Sequence, residues 1–247
     1  MKHQLFIFSP ESSLVRVLAA VALTLCFFSA DGLAQTPNDY YKAGQNKATK
    51  NLLHNVEKYH LQKGVDALRR GKYQYAWADL DFMLRYFPNH PRALMLMAEV
   101  CESWRDPKCK AEEYFSRAIE LSPDQAPAHI ILGIHQHQQG KYADAIQSYQ
   151  TALSIAPNSG NAHYNLGLAY FAKGDYANAN EHAQKAYDLG MTLPGLQQKL
   201  VKADAWKPRA AGEAAKAEPA PLSDANAANP PTIEGAPLAP PNARNSK

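Results

Sequence analysis

Between residues 126 and 191 the chain states one pattern twice, 34 residues apart. Leu132-Gly133 returns as Leu166-Gly167, Gly140-Lys141-Tyr142 as Gly174-Asp175-Tyr176, Ala145 as Ala179, and Ala152 as Ala186. A unit of this length holds two helices and their turns. It cannot bury its own apolar face, so neighbouring copies must stack. The small residues read as points of close helix approach: Gly133 and Gly167 on the first helix of each unit, Ala145 and Ala179 on the second. Gly140 and Gly174 sit where the first helix stops, because a residue without Cβ tolerates the left-handed conformation of a helix end. Pro157 sits where the second helix stops, because its ring cannot continue the hydrogen-bond ladder.

The same spacing extends upstream. Pro123, Ala118, Phe115 and Ala111 each lie 34 residues before Pro157, Ala152, Tyr149 and Ala145. Met97-Ala98 lies 35 before Leu132-Gly133, so this copy carries one extra residue in its inner loop, around residues 104–107. Gly64, Gly71, Tyr73, Ala76, Leu80 and Pro88 form a still earlier copy. Four units follow, at 57–90, 91–125, 126–159 and 160–193. The residues His129, Leu132, Gly133, Gln136, Ala145, Tyr149 and Pro157, with their counterparts in the fourth unit, resemble the tetratricopeptide repeat (TPR) signature W-x2-L-G-x2-Y, A-x3-F, P at the same period.

The resemblance implies an all-α, right-handed solenoid of about four helix-turn-helix repeats. It also implies an inner groove lined by positions 2, 5, 9, 12 and 13 of each first helix. Carried onto this sequence, repeat one offers Lys58, Leu61, Val65, Leu68 and Arg69, and repeat two Arg92, Met95, Glu99, Glu102 and Ser103. Repeat three offers Pro127, Ile130, Ile134, His137 and Gln138, and repeat four Asn161, Tyr164, Leu168, Phe171 and Ala172. Chaperone-binding members clamp a terminal carboxylate with Lys and Asn at positions 5 and 9. Leu61 and Val65 stand there in repeat one, so that activity is not implied. The groove reads as apolar in repeats three and four and charged in repeat two, the character of a binding strip; the alternative is that the N-terminal arm or the cap helix covers it.

The flanks differ in kind. Residues 1–34 carry Lys2, an apolar run over 17–30 and small residues Gly32 and Ala34 before Gln35, the pattern of a secretory signal peptide. The run is too short to span a bilayer, which takes about 20 residues. Residues 35–56 read as an N-terminal arm whose Leu52, Leu53 and Val56 extend the first helix backward. At 194–206, Leu196, Leu200 and Ala203 form one helical stripe opposite Gln197, Gln198, Lys199 and Lys202, which suits a cap helix capped at Thr192. Residues 207–247 hold eight of the 17 prolines and almost no large apolar groups, the composition of a disordered tail. A net charge of +3, with Lys and Arg read as spread along the chain, gives no nucleic-acid signature.

Cys101 and Cys109 fall late in one helix and early in the next, where a hairpin brings them close. A disulfide there would close a nine-residue loop; the alternative is a pair of free buried thiols. No Cys-x-x-Cys motif points to redox catalysis. The nine histidines include His60, His129 and His163 in the slot where the repeat signature has tryptophan. None is paired at the i, i+4 spacing of a helical zinc site, so no metal or cofactor is expected. No G-x-S-x-G, phosphate loop or H-E-x-x-H is present, and no catalytic residue is assigned. The expectation is a non-enzymatic scaffold or adaptor of the bacterial cell envelope, exported to the periplasm. It would hold a protein or peptide partner in the groove, with no nucleic acid and no membrane insertion after signal cleavage. The alternative is a metal- or redox-responsive periplasmic protein using the histidines or the Cys101/Cys109 pair.

Overall fold

The structure, a computed structural model, describes residues 36–208. The signal-peptide reading of 1–34 and all but the first two residues of the tail at 207–247 lie outside the described residues. Within them the chain is helical and strand-free. A 3-10 turn, Tyr40–Gln45, leads into α1 (Lys47–Val56), a π-helical turn (Glu57–Leu61) and α2 (Gln62–Arg69), which run on as one continuous helix. Then come α3 (Tyr73–Tyr86), α4 (Pro91–Trp104), α5 (Ala111–Leu121), α6 (Ala126–Gln138), α7 (Tyr142–Ile155), α8 (Gly160–Ala172), α9 (Tyr176–Asp188) and α10 (Gly195–Lys202). Helices α2/α3, α4/α5, α6/α7 and α8/α9 are four antiparallel hairpins, each packed on the next.

The glycines act where the period places them. Gly71, Gly140 and Gly174 end first helices at φ of +66°, +75° and +78°, and Gly190 ends α9 at +87°. Each sits in a tight C-terminal lock; at the end of α6, Lys141 N–H donates to the Gln136 carbonyl at 2.9 Å and Gly140 N–H to that of His137 at 2.9 Å. Gly133 is a contact glycine: a Cβ there would stand 2.5 Å from the Tyr149 ring. At Gly167 a Cβ would meet Leu196 at 2.6 Å and the Ala179 carbonyl at 3.2 Å, so this glycine admits both the partner helix and α10.

Polar bonds stitch hairpin to hairpin at the turns between repeats. Asn89, almost fully buried, takes the Tyr40 N–H on its Oδ1 at 2.8 Å. Its Nδ2 donates to Asp39 at 2.7 Å and to Ser122 Oγ at 2.8 Å. The N-terminal arm is therefore tied to these turns, and Asn38 N–H reaches the Tyr86 carbonyl at 2.8 Å. One helix earlier, Tyr114 donates its hydroxyl to the buried Asp81 at 2.8 Å, linking α5 to α3.

Two local expectations are corrected. The connection between α4 and α5 spans 105–110, six residues where the other hairpins use three. Of the three additional residues one is the insertion and two come from the later start of α5: Arg105 takes the left-handed region at φ +54°, and Asp106 instead closes a turn, its carbonyl accepting the Cys109 N–H at 2.9 Å and its Oδ1 the Lys108 N–H at 2.8 Å. Cys109 therefore lies in the connection, ahead of α5. The cap helix starts at Gly195 with no bond from Thr192. Tyrosine hydroxyls from other helices serve instead: Tyr164 Oη accepts the Leu196 N–H at 3.1 Å and Tyr187 Oη the Gln197 N–H at 3.0 Å. Orphan first-turn donors are thereby satisfied across the interface.

Candidate functional site

The first helices stand side by side, α4 against α6 and α6 against α8, and the residues assigned to the groove divide sharply by burial. Leu61, Val65, Ile130, Ile134, Tyr164 and Leu168 are buried, with exposures of 0–7%. The expected open apolar strip is thus corrected: positions 5 and 9 of repeats one, three and four are core. Ile130 and Ile134 pack with Ala162, Leu166 and Ala169 of α8. Tyr164 and Leu168 are covered by Leu196 and Leu200 of α10. The physical reason differs along the solenoid: Leu61 and Val65 join the core shared with α3 and α4, Ile130 and Ile134 are packed by α8, and in repeat four α10 folds over the last hairpin as a further first helix would.

What remains accessible is a narrower row. Leu68, Met95, Glu99, His137 and Phe171 are half-buried, and Arg69, Arg92 and Glu102 are exposed. His137 packs edge-on against Tyr142 at 5.0 Å, and Phe171 lies tilted against Tyr176 at 5.2 Å, so the rim carries aromatic pairs. The Glu99 carboxyl is held above its usual range, first by burial and then by the neighbouring Glu102 charge. Burial and the approach of Lys199 on α10 push the His137 imidazole down to about 4. The row is therefore amphipathic, with an uncomfortable carboxyl at its centre and neutral aromatic groups toward its C-terminal end.

Two of the three histidines in the tryptophan slot, His60 and His163, bridge the two helices of a hairpin. His60 Nδ1 meets Asp79 Oδ1 at 2.9 Å. At the equivalent place in repeat four, His163 Nδ1 meets His182 Nδ1 at 3.0 Å. His163 Nε2 must donate to the Pro157 carbonyl, 3.0 Å away, because a carbonyl only accepts. That fixes its Nδ1 as the acceptor and His182 Nδ1–H as the donor. Burial, then the partner ring, pushes His182 down to about 4, and burial lowers His163 as well. Among the described residues no group of three or more His, Cys, Asp and Glu is placed to hold a metal ion.

Cys101 and Cys109 form a disulfide with Cα atoms 5.0 Å apart. Its two cysteines are 8% and 9% exposed, and Cys109 Sγ lies 4.0 Å from Met97 Sδ. This is a shielded staple across the lengthened connection, beside the tilted ring pair Trp77–Trp104 at 6.0 Å. A feature that sequence reasoning missed lies nearby. A cleft of about 660 Å³ opens between α3 and α5, lined by Trp77, Asp81, Glu113, Tyr114 and Arg117. Apart from Lys108 of the connection, its walls are second-helix residues, whose outward faces the repeat signature leaves unspecified.

Comparison with known proteins agrees with this architecture. A TPR repeat family model matches residues 135–174, and a second, described as tetratricopeptide repeat, matches residues 160–192. Among solved structures the chain is similar to PilF of Pseudomonas aeruginosa, at 23% identity over 62% of this chain and 71% of that one, with a TM-score of 0.48. It is also similar to MamA of Desulfovibrio magneticus RS-1, at 22% identity over 60% and 89% of the two chains, with a TM-score of 0.41. A further similar structure is YrrB, described as a TPR protein with an unusual peptide-binding site, at 20% identity over 77% and 87%, with a TM-score of 0.42. No curated protein matches the chain. The matched repeat models cover residues 135–192, and the 34-residue period and stacked antiparallel hairpins of the described chain are those of a tetratricopeptide repeat fold.

Proposed function

We propose that this protein is a non-enzymatic scaffold of the bacterial cell envelope that holds an extended peptide or a helix of a partner protein along its row of first helices. The observation that carries the reading is Glu99, a half-buried carboxyl raised above its usual range by burial and by Glu102, within a row of half-buried Leu68, Met95, His137 and Phe171. A carboxyl in that setting gains from an incoming cation, and the flanking side chains offer apolar contact. Such a surface suits a segment that alternates basic and apolar residues. The signal-like residues 1–34 and the Cys101–Cys109 disulfide support export to an oxidising compartment, the periplasm.

The test uses a Glu99→Lys/Phe171→Ser variant, whose changes fall on half-buried side chains of the row; Phe171 also packs against the edge of the last repeat's core, so a Glu99→Lys single variant is run beside it. All three forms are checked for native helix content by circular dichroism, then used to recover partners from cell envelopes. A partner held by the unmodified protein and lost by the folded variants supports the proposal. A partner kept equally by all three sinks it. Periplasmic release of a chain beginning at Gln35, read by mass spectrometry, checks the location independently.

A further inference from the structure

The first helix of the solenoid carries a charge pattern that the groove does not use. Between residues 37 and 72 the sequence has eight Lys and Arg against three Asp and Glu, whereas residues 73–208 have 12 against 14. The even spread of cations expected from the sequence is thereby corrected. The structure places these cations on one side. Lys47, Lys50, His54 and Lys58 recur at i, i+3, i+7 and i+11, opposite the core-facing Leu52, Leu53 and Val56. The π-helical turn Glu57–Leu61 inserts one residue into the ladder and carries the outward stripe on through Lys63 to Arg69 and Arg70. These six Lys and Arg, and His54, are exposed. Among the described residues, Lys47, Lys50, Lys58, Lys63, Arg70 and Lys72 make no ion pair. Lys58 Nζ instead lies 5.2 Å over the ring of Tyr59. Tyr59 and Tyr75 are 51% and 67% exposed.

We infer that this face of α1 and α2 docks on an anionic membrane surface, its lysines set among lipid phosphate headgroups and Tyr59 at headgroup depth. Four features select that occupant. The cations extend for roughly 33 Å along one continuous helix, a length that meets a broad field of charge rather than a pocket. They are mostly lysines, which are depleted at protein interfaces but serve as point charges toward acidic lipid. The exposed Tyr59, set among them beside Lys58, is an interfacial anchor. The slightly acidic remainder of the described chain faces repulsion from the same surface, so the protein would settle with this helix down. No described helix is long and apolar enough to cross a membrane, so the association is peripheral.

The test measures sedimentation of the full chain with vesicles of phosphatidylcholine containing 30% phosphatidylglycerol, against pure phosphatidylcholine, at 50 and 300 mM salt. It is repeated with Lys47→Glu/Lys50→Glu/Lys58→Glu/Lys63→Glu, all at exposed positions. The expected result is partitioning at least about tenfold stronger to the anionic vesicles, weakened at high salt, with a loss of about 100-fold or more in the variant, since each lysine near an acidic surface contributes about fivefold. Partitioning driven by the apolar run at 17–30 would be equal on both vesicle types. Equal partitioning overturns the inference. So does an anionic preference that survives in the folded variant, or a 20-base-pair DNA duplex bound more tightly than the vesicles at the same salt. Because the groove residues are untouched, this outcome is independent of partner binding there.

Discussion

Tyr149 gives the most discriminating test of the packing argument. It sits on α7 in the slot where the repeat signature has phenylalanine, and its ring is fully buried against Gly133. Its hydroxyl is buried with no hydrogen-bond partner among the described residues, and burial drives its pKa far up. A hydroxyl stripped of water and left unbonded costs about 1–3 kcal/mol. Tyr149→Phe removes that cost. It leaves a void the size of one oxygen, worth roughly 0.4 kcal/mol if the surroundings do not relax. The net expectation is a gain of about 1 kcal/mol, or about 2–4 °C in Tm for a chain of this size. Urea unfolding followed by circular dichroism reads it as a raised midpoint at unchanged slope. The matched control is Tyr164→Phe, whose lost hydroxyl strands the Leu196 N–H at the start of α10; it should lose about 1–3 kcal/mol. A loss of more than about 0.5 kcal/mol in Tyr149→Phe would refute the reasoning, because it would mean that the hydroxyl is satisfied.

Three further outcomes follow from other contacts. Gly133→Ala places a methyl 2.5 Å from the Tyr149 ring; the cost of overpacking, about 1–3 kcal/mol, should exceed the gain in helix propensity, about 1 kcal/mol, and lower the urea midpoint. Cys101→Ser/Cys109→Ser opens the nine-residue loop and should cost about 2.5 kcal/mol by loop entropy, measured against the oxidised parent. Neutral His182 binds a proton less readily folded, at about 4, than unfolded, at 6.5. Its contribution is therefore complete above about pH 6.5 and is lost as the pH falls from there toward about 4. Discounted for its partial exposure, this should amount to roughly 1–2 kcal/mol, and the stability difference between the parent and His182→Gln should shrink across that window.

The fold was legible because its determinants are local and periodic. A glycine that must adopt positive φ, an alanine beneath a neighbouring helix and a proline at a helix end each leave a mark at a fixed step. Gly71, Gly140 and Gly174 all do what their spacing requires. The extension of the first helix through Leu52, Leu53 and Val56 was legible for the same reason. The accessible face was less so. Position within a repeat says which way a side chain points from its own helix, and it says nothing of what covers that side chain. Ile130 and Ile134 point as a groove residue should, yet lie under α8. The tyrosine caps on α10 were invisible because a hydroxyl 32 residues away from Leu196 has no sequence signature.

The two ends of the solenoid solve the same problem by different means. Leu166 and Ala169 of repeat four are buried against repeat three. The residues that correspond to them in repeat one, by the same period, are Lys63 and Asp66, one exposed and one half-buried. A lysine in a stacking position makes further packing on that face costly, since its charge would have to be desolvated. The last repeat has no such residue: Gly167 leaves room instead, and Leu196 fills it. One end is therefore closed by an added helix with a polar outer face, and the other by charge placed directly in the stacking surface. Closing an end by charge does not require that the charges all have one sign, since mixed Glu and Lys would solvate it equally well. The excess of cations over acids between residues 37 and 72 is thus more than stacking termination needs, and the surplus is what assigns this face an anionic counterpart.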